Sequence, residues 1–200
     1  VVFFMGLTSC SVPEERSDNL EKPNFVIFLV DDLGWRDGSF LGSDLYETPH
    51  MNSLAADGMY FRASYAACTV CSPTRAALMT GKYPARIHVT DWIYGHHRPY
   101  ARLRVPDWTM KLEKRHDTIA EVLGGMGYQT ASVGKWHLMP AGDEDMDQYS
   151  PVSHGFDVNI GGNQWGLPGS YFHPYTHPTE GRGIGPLPPG GTENDYLTDR

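Results

Sequence analysis

Residues 25–30, FVIFLV, form an unbroken apolar run closed by Asp31, Asp32 and, two residues on, Gly34. A short run rich in β-branched and aromatic residues, apolar on both faces, predicts a buried central strand of a parallel sheet. The next stretch, TPHMNSLAADGM, predicts a helix. Thr48 is its candidate N-cap, Pro49 takes the first helical position, Leu54 and Ala55 form the apolar stripe, and Gly58 is the stop. The alternation then repeats. YFRASYA reads as a strand and SPTRAALMTG as a helix in which Ser72 caps, Pro73 opens and Gly81 closes, so that Cys71 sits immediately ahead of a helix N-terminus. In a third unit, Thr118 and Glu121 make a capping box for TIAEVLGG, and YQTASVG is a strand running straight into Lys135, Trp136 and His137.

Strand and helix alternating in this way predict an α/β fold, a mixed but mostly parallel sheet sandwiched by helices. Residues 139–200 differ in character: 19 of these 62 positions are Gly or Pro, which argues against long regular elements. Trp165, Tyr171, Phe172 and Tyr175 nevertheless cluster there. The segment reads as an ordered loop region, its aromatics either lining a pocket or packing the loop onto the core.

Composition narrows the partners. The chain has 200 residues, 40% hydrophobic and 12% aromatic, enough for one domain with a sizeable core. Lys plus Arg total 16 against 24 Asp plus Glu, a net charge of −8 without a basic run, so the phosphate backbone of a nucleic acid would be repelled. Three cysteines are too few for a disulfide framework and leave at least one unpaired.

The first of them, Cys10, ends VVFFMGLTSC, where an apolar run too short to span a membrane meets small residues directly before a cysteine. That is the look of a bacterial lipoprotein signal remnant (residues 1–10), with residues 11–23 as a polar tether and residues 24–200 as the folded part. The expectation is an exported protein, periplasmic or on the cell surface, anchored by lipid through Cys10; an ordinary clipped signal peptide is the alternative. With no initiator Met, and with NDYLTDR reading as the start of a helix, the chain is expected to be an N-terminal fragment.

Ligands of open α/β sheets collect at the carboxyl ends of the strands. Three features converge there. Asp31 and Asp32 repel one another unless a cation lies between them, and oxygen donors at a tight turn suit a hard ion such as Ca²⁺ or Mg²⁺, although a solvated turn is the plainer explanation of two adjacent acids. Cys71 at a helix start meets unpaired N–H groups, to which Arg75, one turn in, adds a full charge and a planar donor fork; such a place attracts a tetrahedral oxyanion. Lys135 and His137, two apart on a strand end, can point to one side and supply a cation and a group that passes a proton near neutral pH.

The stretch C-S-P-T-R at Cys71 to Arg75, followed by A-A-L-M-T-G, resembles the signature of the type I sulfatases. G-Y-Q-T-A-S-V-G-K-W-H at Gly127 to His137 resembles that family's second short motif, and L-V-D-D-L-G its metal-binding strand. Three motifs stand in family order over roughly residues 24–137. The resemblance implies the alkaline phosphatase fold, with Cys71 oxidised to formylglycine by a maturation enzyme that reads the proline and arginine. It also implies a divalent metal held by Asp31, Asp32 and the modified residue 71, and Cys71, Arg75, Lys135 and His137 as the catalytic set.

The implied reaction is removal of sulfate from a sulfated small molecule or glycan. One hydroxyl of the hydrated aldehyde attacks sulfur, and the second expels sulfate as the aldehyde re-forms. Departures from the family pattern are Thr69, where a smaller residue is usual, and Met139 and Pro140 in place of a glycine after K-W-H-L. Two enzyme alternatives and one from another class stand beside this: a phosphate or phosphonate ester hydrolase of the same superfamily, and a redox or zinc-binding lipoprotein using the C-x-x-C of Cys68 and Cys71. A non-catalytic sugar-binding relative follows if Cys71 stays a thiol.

Overall fold

The protein's structure, a computed structural model, describes residues 22–95, 99–140, 142, 145–177, 182–184, 187, 190–192 and 195–197. Cys10, the proposed signal remnant and nearly all of the tether lie outside the described residues. Two units divide the chain, residues 1–52 and residues 53–200. No described helix is long and apolar enough to cross a membrane.

In the first unit the run 25–30 is extended but is not a strand, and its side chains are between 40% and 86% exposed. This corrects the expectation of a buried central strand. A strand exists only with a neighbour to complete its ladder, and among the described residues none pairs with this run. Ser39, Thr48 and Asn52 tie the unit's later part together: the Ser39 N–H donates to Thr48 Oγ1 at 2.9 Å and the Ser39 hydroxyl to Asn52 Oδ1 at 3.0 Å. The Thr48 hydroxyl is therefore engaged with Ser39 and Asn52, while its carbonyl accepts the first helical bond, from the Asn52 N–H at 2.9 Å.

Helix α1 (Pro49–Asp57) begins at the expected proline, and the Gly58 N–H closes it onto the Leu54 carbonyl at 3.0 Å. It has no buried residue and Leu54 is exposed, so the expected apolar stripe is not buried among the described residues.

In the second unit the stretch 60–66 is irregular, with a turn at residues 62–63, and not the expected strand. Helix α2 (Cys71–Thr80) follows, and Gly81, at φ 65, ends it with an N–H to Ala77 O at 2.8 Å; the left-handed turn suits glycine. Ser72 does not cap it. The cap position is Val70, and Cys71 is already the first helical residue. A short α3 (Pro84–Ile87) comes next, then α4 (Ile119–Gly125), which has the expected capping box. The Glu121 N–H donates to Thr118 Oγ1 at 3.2 Å and the Thr118 N–H to Glu121 Oε2 at 2.8 Å.

Strand β1 (Ala131–Val133) lies in the expected YQTASVG segment and pairs in parallel with β2 (Val158–Ile160), Ala131 opposite Val158. The α/β character is thus present as one parallel strand pair together with helices. Two short 3-10 helices, Met146–Tyr149 and Val152–His154, lie between the strands, consistent with a Gly/Pro-rich region lacking long elements. The core consists of Ala76 from α2 with Ile87, Val89, Leu112, Trp136, Leu138 and Met139. It places the segment after β1 directly against α2.

Candidate active site

Local backbone chemistry brings the two most informative stretches together. After β1, Gly134 adopts φ 90 and donates its N–H to Ile160 O at 2.7 Å, a turn that glycine makes without steric cost. Residues 135–138 then leave the strand. Trp136 anchors them in the core: its Nε1 donates to Tyr149 O at 2.9 Å, and its ring meets Phe156 edge-on at 6.0 Å. The backbone of Leu138 accepts from the Leu112 N–H at 2.9 Å.

Helix α2 grips this segment with two of its first-turn side chains. Arg75 donates from Nη1 to the Lys135 carbonyl. Fully buried Ser72 donates its hydroxyl to the His137 carbonyl at 2.9 Å and accepts the Ile93 N–H, also at 2.9 Å. The His137 ring completes a loop of contacts, with Nε2 3.2 Å from the Ile93 carbonyl, and its backbone N–H donates to Asn163 O at 3.0 Å. His137 holds φ 58, a left-handed conformation that costs a non-glycine residue on the order of 1 kcal/mol and persists where the surroundings over-determine it.

Cys71, Arg75, Lys135 and His137 are therefore joined within one unit, through α2. They are not joined as strand alternation predicts. The strand ends at Val133, Lys135 is half-buried and His137 is 2% exposed, so the shared placement comes from main-chain hydrogen bonds and not from a common face of a strand. Cys68 and Cys71 are both free and half-buried, and the Cys68 carbonyl accepts from Thr74 Oγ1 at 2.7 Å.

Asp31 and Asp32 lie in the first unit, exposed, in the turn directly after the apolar run, with Asp32 at φ 57. Their donors are carboxylate oxygens, which fit a hard divalent ion. Among the described residues no three His, Cys, Asp or Glu side chains gather into a metal-binding group, so the pair could supply at most part of a coordination shell.

Of the loop aromatics, Trp165 stacks on Tyr94 with centroids 5.6 Å apart and planes 12° off parallel. Tyr171, Phe172 and Tyr196 make a second, exposed group, whereas Tyr175 is buried and packs its loop. Burial pushes the Tyr94 phenol up. Ile93, Asn163 and Gly166 meet His137, and the motifs did not single them out. Gly166 packs so closely on the His137 ring that an added Cβ would lie 2.7 Å from Cε1. Only the glycine beside Trp165 gave any signal of such an approach.

A family model described as Sulfatase matches residues 23–190. Among curated proteins, N-acetylgalactosamine-6-sulfatase of Sus scrofa is 38% identical over 159 residues, which is 78% of this chain and 27% of that protein. Arylsulfatase G of Homo sapiens is 38% identical over 141 residues, 70% of this chain and 24% of that protein. The chain thus spans about a quarter of the length of these relatives. Among solved structures, Ps i-CgsB superposes with a TM-score of 0.59 at 30% identity, covering 84% of this chain and 37% of that one. Its complex with k-i-k-neocarrahexaose gives 0.57 at 26% identity, with the same coverage.

Proposed function

Because the chain belongs to the sulfatase family, we propose that the protein hydrolyses sulfate esters, and that the first turn of α2 with residues 135–137 is the share of the active site carried here. The observation that carries this reading is the Ser72, Ile93 and His137 hydrogen-bond loop together with the Arg75 bond to Lys135. These tie the helix that begins at residue 71 to the backbone of Lys135 and His137, which supports reading the four residues as parts of one site.

Residue 71 at the first position of α2 is where a sulfate ester would be attacked. An aldehyde hydrate there, formed from Cys71 by a maturation enzyme, supplies two hydroxyls on one carbon, so that sulfur is attacked by one and sulfate is expelled through the other. Arg75, its Nη1 held on a carbonyl, stays planar and aimed, and shares with Lys135 the task of offsetting charge on the sulfuryl oxygens. His137 moves a proton to or from the hydrate or the departing alcohol in this reading. Asp31 and Asp32 would hold a divalent ion, Ca²⁺ before Mg²⁺, whose contribution is further charge stabilisation.

A sulfated carbohydrate is the proposed substrate class. Support comes from the Tyr94 and Trp165 stack, flanked by the same residues that contact His137, because aromatic faces pack against sugar rings. The solved neighbour bound to k-i-k-neocarrahexaose agrees with it. Export and lipid attachment through Cys10 belong to the same proposal. The test is turnover by the full-length, matured protein on sulfated mono- and oligosaccharides, a simple aryl sulfate, and a phosphate and a phosphonate ester. Desulfation of the saccharides supports the reading; hydrolysis of the phosphorus esters alone moves the protein to the neighbouring reaction class, and inactivity on all sulfates refutes it.

A further inference from the structure

We infer that Ser72 is a positioning residue for His137, and that with Ile93 it sets which imidazole nitrogen of His137 is the proton acceptor; this rests on the sulfatase reading above. The residue stands where a helix cap would be expected, yet its hydroxyl makes no cap. It is 0% exposed, and its one donor and one of its acceptor sites are spent on two different chain segments. The hydroxyl donates to the His137 carbonyl and accepts from the Ile93 N–H, each at 2.9 Å, spanning 65 and 21 positions of sequence.

Ile93 uses both of its backbone groups in this assembly. Its N–H faces Ser72, and its carbonyl faces His137 Nε2 at 3.2 Å. A carbonyl oxygen can only accept, so Nε2 carries the hydrogen, and in the neutral ring the lone pair belongs to Nδ1. Ser72 thereby acts on the ring twice, through the main chain of His137 and through the peptide that fixes its tautomer. Removing the hydroxyl takes its bonds away from the buried His137 carbonyl and the Ile93 N–H, so the Ile93 peptide loses one of its anchors.

The test uses the full-length matured protein with Ser72→Ala and Ser72→Thr variants. Cys71 conversion is measured by mass spectrometry and turnover on an aryl sulfate. Per converted molecule, Ser72→Ala is expected to lose at least about tenfold in kcat, as misplaced catalytic groups do, with KM changed less than about twofold. Ser72→Thr, which keeps the hydroxyl, should recover most of it. Wild-type kcat in the alanine variant, or a loss fully explained by fewer converted or folded molecules, overturns the inference.

Should the alanine variant not fold, the His137 tautomer decides by nitrogen NMR of the wild-type protein labelled in histidine. A neutral ring protonated on Nε2 supports the inference and one protonated on Nδ1 overturns it. Absence of sulfate ester turnover in the wild type would instead sink the underlying functional reading, while the tautomer measurement still judges the geometry.

Discussion

Gly166→Ala tests the site geometry with a single added methyl group. The new Cβ would stand 2.7 Å from His137 Cε1, 3.0 Å from Nδ1 and 3.2 Å from Nε2. Carbon atoms in contact ordinarily sit about 3.5–4.0 Å apart, so ring and loop must separate by roughly 1 Å. Neither partner gives easily. The loop is held by the Trp165 N–H on Asn163 Oδ1 at 2.9 Å and by the His137 N–H on the Asn163 carbonyl, and the ring is held by Ile93 at 3.2 Å. A ring shift of that size takes the Nε2 contact past the about 3.5 Å at which a hydrogen bond ceases to count.

Overpacking of this kind costs about 1–3 kcal/mol in stability. Displacing a catalytic group by about 1 Å costs on the order of 100-fold in rate, or about 2.7 kcal/mol of barrier. The assay is kcat of the full-length, matured protein on an aryl sulfate, normalised to Cys71 conversion. Gly124→Ala is the control, because its Cβ would meet nothing within 4 Å and it lies in α4. The expected result is a loss of about 100-fold for Gly166→Ala and none for the control. Equal activity in both would refute the placement of His137 against this loop.

Three further outcomes follow from the same structure. Gly155 holds φ 88 with the Glu121 backbone N only 2.6 Å from an added Cβ, so Gly155→Ala should lower stability by about 2–5 kcal/mol in urea unfolding, and a change below about 0.5 kcal/mol contradicts the packing of that turn on α4. Burial holds the His154 imidazole below its usual range, outweighing the favourable Ser150 carbonyl. The folded state then binds fewer protons than the unfolded one, so this contribution is present above about pH 6.5 and is lost as pH falls through the depressed folded pKa; a denaturation midpoint that rises on acidification from pH 7 to 5.5 contradicts it. Arg75→Lys keeps the charge and loses the fork held on the Lys135 carbonyl, and kcat should fall about 100-fold with Cys71 conversion measured in parallel; unchanged kcat removes Arg75 from the site.

Features written locally in the chain were legible. The Thr118 and Glu121 capping box, the proline openings of α1 and Gly81 at the end of α2 all depend on neighbours within a few positions, and the structure has each of them. Residues 25–30 and 60–66 have the composition of strands without forming them among the described residues, because a strand needs a partner that lies elsewhere in sequence, whereas a cap does not. The candidate site was legible as motifs but not as geometry. Ser72 reads as a helix cap from its neighbours, and only a contact 65 positions away shows its use; the Ile93 carbonyl meets His137 across 44. Nothing in the residue type of Ile93 announces a role played entirely by its peptide group.

The most direct measurement of the central claim is mass spectrometry of the tryptic peptide ending at Arg75, taken from active full-length protein produced beside a maturation enzyme. The account predicts an aldehyde at residue 71 that a carbonyl-reactive probe captures, in proportion to sulfate ester turnover. A thiol at Cys71 throughout the active protein, or undiminished turnover by Cys71→Ala, would contradict it.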